Sequence, residues 1–335
     1  MPTWGYGILL PGDSPQADNI IQARTIHRWQ SQHSMLAVDT SFGRKTMTMK
    51  TGKISVSRGT FNIRDRGNHD GFPVIMLHGW PESSYCWEGV AAFLDPSLRI
   101  IAPDLRGLGE SERTLDVKAY QKAELAKDII EIADALQIDS FFLVGHDWGG
   151  IVAQEAALQV PGRVKKLVIL NIPVITNMKG LLEARKIICD AGGVPYWYQY
   201  FQQQPRLAEA MIKGNEDVWI RHFFGPKGQD GTIPPDAIEE YIRCYCIENT
   251  PATGASYYRS MGMDAQRWAT LVGKRITMPS LYIHGSEDTV IIKENLNHIE
   301  KGVDSIQVES VQASHFVQEE KPREVAELMN KFFQR

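Results

Sequence analysis

The fold class expected of these 335 residues is α/β, a mostly parallel sheet with helices on both faces, and three features lead there. Short, continuous apolar runs alternate with longer amphipathic stretches, the pattern of strands covered on both sides by helices. One run, Phe141-Phe142-Leu143-Val144, passes through Gly145-His146-Asp147-Trp148-Gly149 into the helical Gly150-Ile151-Val152-Ala153, so a strand turns sharply into a helix. The alternation stops after Asn171 and resumes near Lys274. That interval reads as an insertion between two strands of one sheet and not as a second independent domain.

Taken in order, residues 1–48 show no strong periodicity, although 20–29 fit a short helix. Whether this extension is an arm packed on the body or a tail stays open. Ile54-Ser55-Val56-Ser57 and Phe61-Asn62-Ile63-Arg64 alternate apolar with polar around Arg58-Gly59-Thr60, which predicts an antiparallel hairpin. Pro73-Val74-Ile75-Met76-Leu77 and Arg99-Ile100-Ile101-Ala102-Pro103 predict buried strands, with helical spacing over 83–94 between them. A longer amphipathic helix is expected over 120–136, then the strand at 141–144. Val164-Lys165-Lys166-Leu167-Val168-Ile169-Leu170 is the next strand. After the insertion come Ser280-Leu281-Tyr282-Ile283, Ser305-Ile306-Gln307-Val308 and a terminal helix over 322–333. The insertion itself is aromatic-rich and helical, with no convincing strand.

The bulk numbers mostly exclude. A net charge of −4 gives no electrostatic case for nucleic acid or an anionic membrane surface. No apolar run has the length of a bilayer span, and the start of the chain lacks a basic segment before Ile8-Leu9-Leu10, so no secretory signal is expected. Cys86, Cys189, Cys244 and Cys246 are too few and scattered for a disulfide framework, and Cys244-x-Cys246 lacks zinc-ligand spacing; reduced core thiols in a cytoplasmic protein are expected.

Chemistry concentrates at Gly145-x-Asp147-x-Gly149. A strained strand-to-helix turn presenting a nucleophile needs small residues two before and two after its tip. The tip here is Asp147, a carboxylate where such turns usually carry Ser. That exchange points away from ester hydrolysis and towards attack on a saturated carbon. A plainer account makes Asp147 a helix N-cap. The flanking glycines, and an Asp and a His further on, argue against it.

The motifs His78-Gly79-Trp80-Pro81, Asp104-Leu105-Arg106-Gly107-Leu108-Gly109, Gly145-His146-Asp147-Trp148-Gly149-Gly150, Gly285-Ser286-Glu287-Asp288 and Ala313-Ser314-His315-Phe316 occur in the order of the α/β-hydrolase fold. From about residue 50 onwards the chain resembles the epoxide hydrolases of that superfamily, with haloalkane dehalogenases the near neighbours. The resemblance implies an eight-stranded, mostly parallel sheet. Its core would be 49–171 and 275–335, with a helical lid over 172–274. It implies Asp147 as nucleophile, Asp288 as supporting acid with Glu287 the competitor, and His315 as general base. The backbone N–H groups of Trp80 and Trp148 would form the oxyanion hole, and Pro81 would follow a cis peptide. Two lid tyrosines would protonate the leaving oxygen; Tyr198 and Tyr258 match best, with Tyr200 and Tyr257 competing. His78, Asp104, His146 and His284 are expected to order loops and sheet edges and not to react.

The activity so implied is conversion of epoxides to vicinal diols through an Asp147 ester. It needs no cofactor or metal, and its partners are a small epoxide and water; homo-oligomerisation is left open. A dehalogenase would use the same Asp147, with Trp148 and Trp197 or Trp219 binding halide. Against it, Trp80 stands where many haloalkane dehalogenases carry Asn, and Trp148 where haloacetate dehalogenases carry Arg. A non-catalytic binding protein of the same fold is a third account, which the complete Asp147, Asp288 and His315 set opposes.

Overall fold

The computed structural model describes residues 48–334. The expected extension over 1–48, with its short helix at 20–29, lies outside the described residues apart from residue 48 itself. Eight strands form one sheet in the order β1-β2-β4-β3-β5-β6-β7-β8. They are β1 (Lys50–Val56), β2 (Gly59–Gly67), β3 (Pro73–Leu77), β4 (Arg99–Pro103), β5 (Phe141–His146), β6 (Val164–Leu170), β7 (Ser280–Gly285) and β8 (Ile306–Val311). β1 and β2 make the expected hairpin, β2 runs antiparallel to β4, and every other pair is parallel. The central strands β3 and β5 carry continuous apolar runs, over 74–77 and 141–144, because both their faces are covered.

Four helices frame the first half: α1 (Glu88–Ala91), α2 (Lys122–Ala135), α3 (Asp147–Gln159) and α4 (Met178–Asp190). The chain steps one way along the sheet from β3 to β4 through α1, and the other way from β4 to β5 to β6 through α2 and α3. Right-handed crossovers in opposite directions put the connecting helices on opposite faces. The packing agrees, with α2 against α3 and α1 against the terminal helix. The helix expected over 83–94 is shorter: a 3-10 turn over Ser84–Trp87 runs into the single turn of α1.

Between β6 and β7 lie α4, α5 (Trp197–Gln203), α6 (Leu207–Ile212), α7 (Glu216–Gln229), α8 (Pro235–Tyr245), α9 (Thr250–Arg259) and α10 (Met261–Ala269). After β8 come α11 (Val317–Glu320) and α12 (Pro322–Gln334). The inserted helices are bonded to the sheet unit at several points. The Tyr257 hydroxyl donates to the Arg106 carbonyl at 2.8 Å, Arg113 Nε to Thr250 Oγ1 at 3.0 Å, and Lys122 Nζ to Asp264 Oδ2 at 2.8 Å.

Among the described residues no helix is long and apolar enough to cross a membrane. All four cysteines are free, but only Cys86 and Cys244 are buried; Cys189 and Cys246 face solvent. The expectation of core thiols therefore holds for two of the four. Cys189 lies on the outer side of amphipathic α4, and Cys246 caps the end of α8.

Candidate active site

The C-terminal ends of β3, β5, β6, β7 and β8 share one edge of the sheet, where an open parallel sheet gathers functional loops. Asp147 follows β5 directly and opens α3 with φ +48°, a left-handed conformation costly for a residue bearing a Cβ. The turn closes only because its neighbours are bare. A Cβ on Gly149 would stand 2.3 Å from the His78 carbonyl oxygen, and one on Gly145 2.4 Å from the Gly149 carbonyl oxygen. Both glycines are therefore steric requirements of the turn, as the sequence spacing implied.

Around Asp147 the other expected residues converge. The Trp80 N–H, just beyond β3, donates to Asp147 Oδ1 at 2.9 Å, and the Trp80-Pro81 peptide is cis, as expected. The Trp148 N–H lies in the first turn of α3, where backbone donors have no intrahelical acceptor. His315, after β8, brings Nε2 to 3.6 Å from Asp147 Oδ2. Its Nδ1 donates to Asp288 Oδ2 at 2.7 Å. The other oxygen of Asp288 accepts from the Val290 and Ile291 N–H groups at 2.7 and 3.0 Å, so the carboxylate is held on both sides. Glu287 lies near Lys227 and Gln312 instead and makes no contact with His315.

The two lid tyrosines sort cleanly from their competitors. Tyr258 of α9 is fully buried, its ring edge-on to both Trp148 and Trp80 with centroids 5.5 and 5.4 Å apart. Tyr198 of α5 stacks on the Trp80 indole at 5.6 Å and meets the Tyr258 ring at 5.6 Å. Tyr200 is exposed beside Arg185, and the Tyr257 hydroxyl is spent on the Arg106 carbonyl. Trp80 is fixed in turn, its indole N–H donating to the Tyr245 hydroxyl at 3.1 Å. Trp148 Nε1 and Trp219 Nε1 are buried beside the Tyr258 and Tyr245 hydroxyls without a well-formed hydrogen bond.

Electrostatics follow from this crowding. Burial alone would lower the His315 pKa, but the Asp288 and Asp147 carboxylates outweigh it and raise it well above the ordinary imidazole value. For Asp147, burial pushes the pKa up, and the opposing pull of His315, His146 and the Trp80 N–H leaves it below the ordinary carboxylate value. Tyr198 is raised by burial and by the nearby Asp147 carboxylate, and Tyr258 by burial, Tyr198 and Asp147. Both phenols thus keep their protons over the neutral range.

A cavity of about 180 Å³ opens beside Asp147, lined among others by Trp80, Tyr198, Phe223, His315 and Phe316. A larger, open cleft of about 360 Å³ lies at the opposite edge of the sheet, by His69, Arg99 and Asp139, away from Asp147. Chemistry and not size therefore selects the site.

Residues expected only to order loops do so, and one does more. His78 Nε2 accepts from the Leu105 N–H at 2.9 Å, Asp104 accepts from the Ser84 and Glu110 N–H groups at 2.7 and 2.9 Å, and His284 Nε2 donates to the Ile291 carbonyl at 2.9 Å. His146 is more than a sheet-edge residue. Its Nε2 donates to the His315 carbonyl at 2.9 Å, its Nδ1 lies 2.9 Å from Glu82, and Asn171 Nδ2 donates to the same carbonyl at 2.8 Å. Sequence reasoning missed Glu82 and Asn171. The signal for Asn171 was its place one residue past β6, beside the ends of β5 and β7.

The model of the alpha/beta hydrolase fold family matches residues 73–322. A soluble epoxide hydrolase from Corynebacterium sp. (strain C12) is 30% identical over 268 residues, spanning 78% of this chain and 90% of that one. Epoxide hydrolase A from Mycobacterium tuberculosis (strain ATCC 25618 / H37Rv) is 26% identical over 295 residues, with the same 78% and 90% coverage. Epoxide hydrolase VrEH1 from Vigna radiata superposes with a TM-score of 0.73 at 24% identity, over 86% of this chain and 98% of that chain, a likeness that speaks for the fold. The turn at Asp147, the eight-stranded sheet and these relatives together make the chain a member of the α/β-hydrolase family, in its epoxide hydrolase branch.

Proposed function

We propose that this enzyme opens epoxides to vicinal diols through an alkyl ester on Asp147. The observation that carries the reading is the His315 imidazole standing between two carboxylates, 2.7 Å from Asp288 and 3.6 Å from Asp147, beside a pair of buried-edge phenols. An epoxide carbon offers no carbonyl for a tetrahedral adduct, so the enzyme first makes one. Asp147 forms a C–O bond to a ring carbon as the ring C–O bond breaks, and Tyr198 or Tyr258 passes its proton to the departing oxygen. His315, protonated in the resting site, returns a proton to that phenol and becomes neutral. It then takes a proton from a water whose oxygen adds to the Asp147 γ-carbon. The Trp80 and Trp148 N–H groups receive the resulting oxyanion. Collapse releases the diol, and the new carboxyl proton neutralises its alkoxide. Asp147 is again a carboxylate and His315 an imidazolium.

The cavity favours compact, neutral epoxides. Its volume of about 180 Å³ lies below the ~300–1,000 Å³ of ordinary ligand pockets. Apart from His315, its lining carries no basic side chain, while Glu287 and Asp288 stand in its wall. One observation favours the dehalogenase reading, the buried indole N–H groups of Trp148 and Trp219, which lack a well-formed hydrogen bond and which a halide would satisfy. That reading leaves both phenols without a task. The four free cysteines support the reducing cytoplasm as the place of action.

A single turnover in ¹⁸O-water with enzyme in excess tests the ester. Label is expected in the Asp147 side chain and not in the first diol released; label directly in that diol would mean that water attacks the ring itself.

A further inference from the structure

Lys122 opens α2 and is fully buried; among the described residues no other lysine is. A buried ion pair is weak evidence of stabilisation, since well-packed apolar residues often serve as well or better. The pair it forms therefore calls for a specific role, and its contacts suggest one. Nζ donates to Asp264 Oδ2 at 2.8 Å, to Ser260 Oγ at 2.9 Å and to the Tyr257 carbonyl. The second Asp264 oxygen accepts the Lys122 N–H at 2.9 Å, so the carboxylate also caps the start of α2. Ser260 Oγ reaches the Tyr120 carbonyl at 3.0 Å. All of these partners lie at the junction of α9 and α10 or just before α2. The Tyr257 carbonyl belongs to the last turn of α9, where helix carbonyls lack backbone donors and a cation is favoured.

Tyr258 sits between two of those anchored residues, Tyr257 and Ser260. The same ammonium lies 4.0 Å from the centroid of the Trp148 indole, and the Tyr258 ring packs edge-on to that indole. One cation thus holds both the backbone that carries the phenol and the ring against which the phenol rests. A cation on an aromatic face is attractive, the more so when desolvated.

We propose that Lys122 is a positioning residue for ring opening: by fastening the α9–α10 junction and the Trp148 indole to the start of α2, it sets the reach of the Tyr258 hydroxyl over Asp147. This rests on the proposed role of Tyr258 as a proton donor. Lys122 makes no hydrogen bond to the nucleophile, although its charge acts on Asp147, and the paired variant removes that charge together with the Asp264 charge. Ester hydrolysis depends on His315, the water and two backbone N–H groups, and the Trp148 N–H is held by the first turn of α3 and not by its indole.

The test uses Lys122→Met/Asp264→Asn, which removes both buried charges together and leaves none unpaired. Single turnovers with styrene oxide follow ester formation by tryptophan fluorescence and ester breakdown by quenched diol release. Ester formation is expected to slow by about 10- to 100-fold, the cost of misplacing a reacting group by about an ångström. Breakdown is expected to stay within about twofold of the parent, because its groups are untouched. Adding Tyr258→Phe should slow ester formation no further than Tyr258→Phe alone, since a positioning residue has nothing left to position. Ser260→Ala, a milder change that keeps both charges, should show the same split at about threefold and serves as the measurement if the charge-free variant does not fold. Parent-like ester formation in either folded variant, equal slowing of both steps, or full multiplication of the Lys122 and Tyr258 effects overturns the proposal. If Tyr258→Phe itself forms ester at the parent rate, the proton-donor reading fails. If Tyr258→Phe is slow and the Lys122 variant fast, only the positioning role fails.

Discussion

Removing the lid hydroxyls one at a time and then together separates the chemistry proposed here from its nearest rival. Tyr198→Phe and Tyr258→Phe keep both rings, so the stack on Trp80 and the edge contact with Trp148 survive and only the proton donors are lost. A hydrogen bond to an oxygen gaining charge in the transition state contributes ~2–3 kcal/mol, or about 10²-fold in rate. Both hydroxyls stand in buried surroundings, where burial is the first cause of their raised pKa values. The two single mutants are therefore expected to slow by comparable amounts. In the double mutant no phenol remains to protonate the alkoxide, and ring opening should fall by well over the ~10² of either single change. Stopped-flow tryptophan fluorescence reads ester formation directly, because Trp80 and Trp148 flank the nucleophile. Ester breakdown should be unaffected in all three. A double mutant that opens epoxides at the parent rate refutes the assignment. Retained halide release from haloalkanes in that mutant would instead favour a dehalogenase, whose leaving group needs no proton.

The remaining expectations can be checked with the same protein. His315→Gln should form ester but not hydrolyse it, so intact-protein mass should rise by the mass of the epoxide and stay there. Asp288→Asn should impair the same step less completely, since the base survives in a poorer orientation. As pH falls, ester formation should outlast ester breakdown, because Asp147 is held ionised below the usual carboxylate range while breakdown requires neutral His315. Quench-flow at mildly acid pH should accordingly trap alkylated enzyme, and equal loss of both rates would contradict this. Gly149→Ala should destabilise by on the order of 1–3 kcal/mol or more, seen as a lowered Tm, because its Cβ would stand 2.3 Å from the His78 carbonyl oxygen, which belongs to backbone and cannot step aside.

What the sequence made legible was local. The buried strands announced themselves as apolar runs, and the turn at Asp147 as two glycines around an acid. The tyrosine assignment was harder for a reason of phase. Tyr198 and Tyr200 lie about 200° apart around one helix, and Tyr257 and Tyr258 about 100°. The lid is too aromatic all round for periodicity to say which face looks inward. Only the packing of α5 and α9 decides that. Lys122 was invisible for a different reason. At the head of an amphipathic helix a lysine reads as solvated, and nothing nearby in sequence reveals an Asp264 partner 142 positions away. His146 is similar, since the carbonyl it supports is 169 positions on. Buried polar contacts of long sequence separation leave no periodic trace, and the supporting groups of this site are of that kind.

The position of His315 between two acids bears on the order of events. With the Asp288 and Asp147 carboxylates on either side, the imidazole pKa is raised and the ring is held protonated, which makes it useless as a base towards water. Esterification changes that. It removes the charge on Asp147, and with it one of the two carboxylates that raise the imidazole, while burial continues to push its pKa down. On the proposed mechanism the base therefore comes into being when the intermediate that needs it forms. Asp288 cannot be lost from this scheme, because it is tied by the Val290 and Ile291 N–H groups and accepts from Nδ1, so that Nε2 faces the ester. A neutral residue at 147 should reproduce the switched state without any substrate. In Asp147→Asn the His315 pKa, followed by NMR of the imidazole, should lie clearly below its value in the parent enzyme. An unchanged pKa would mean that Asp288 alone holds the proton, and that ester formation does not by itself release the base.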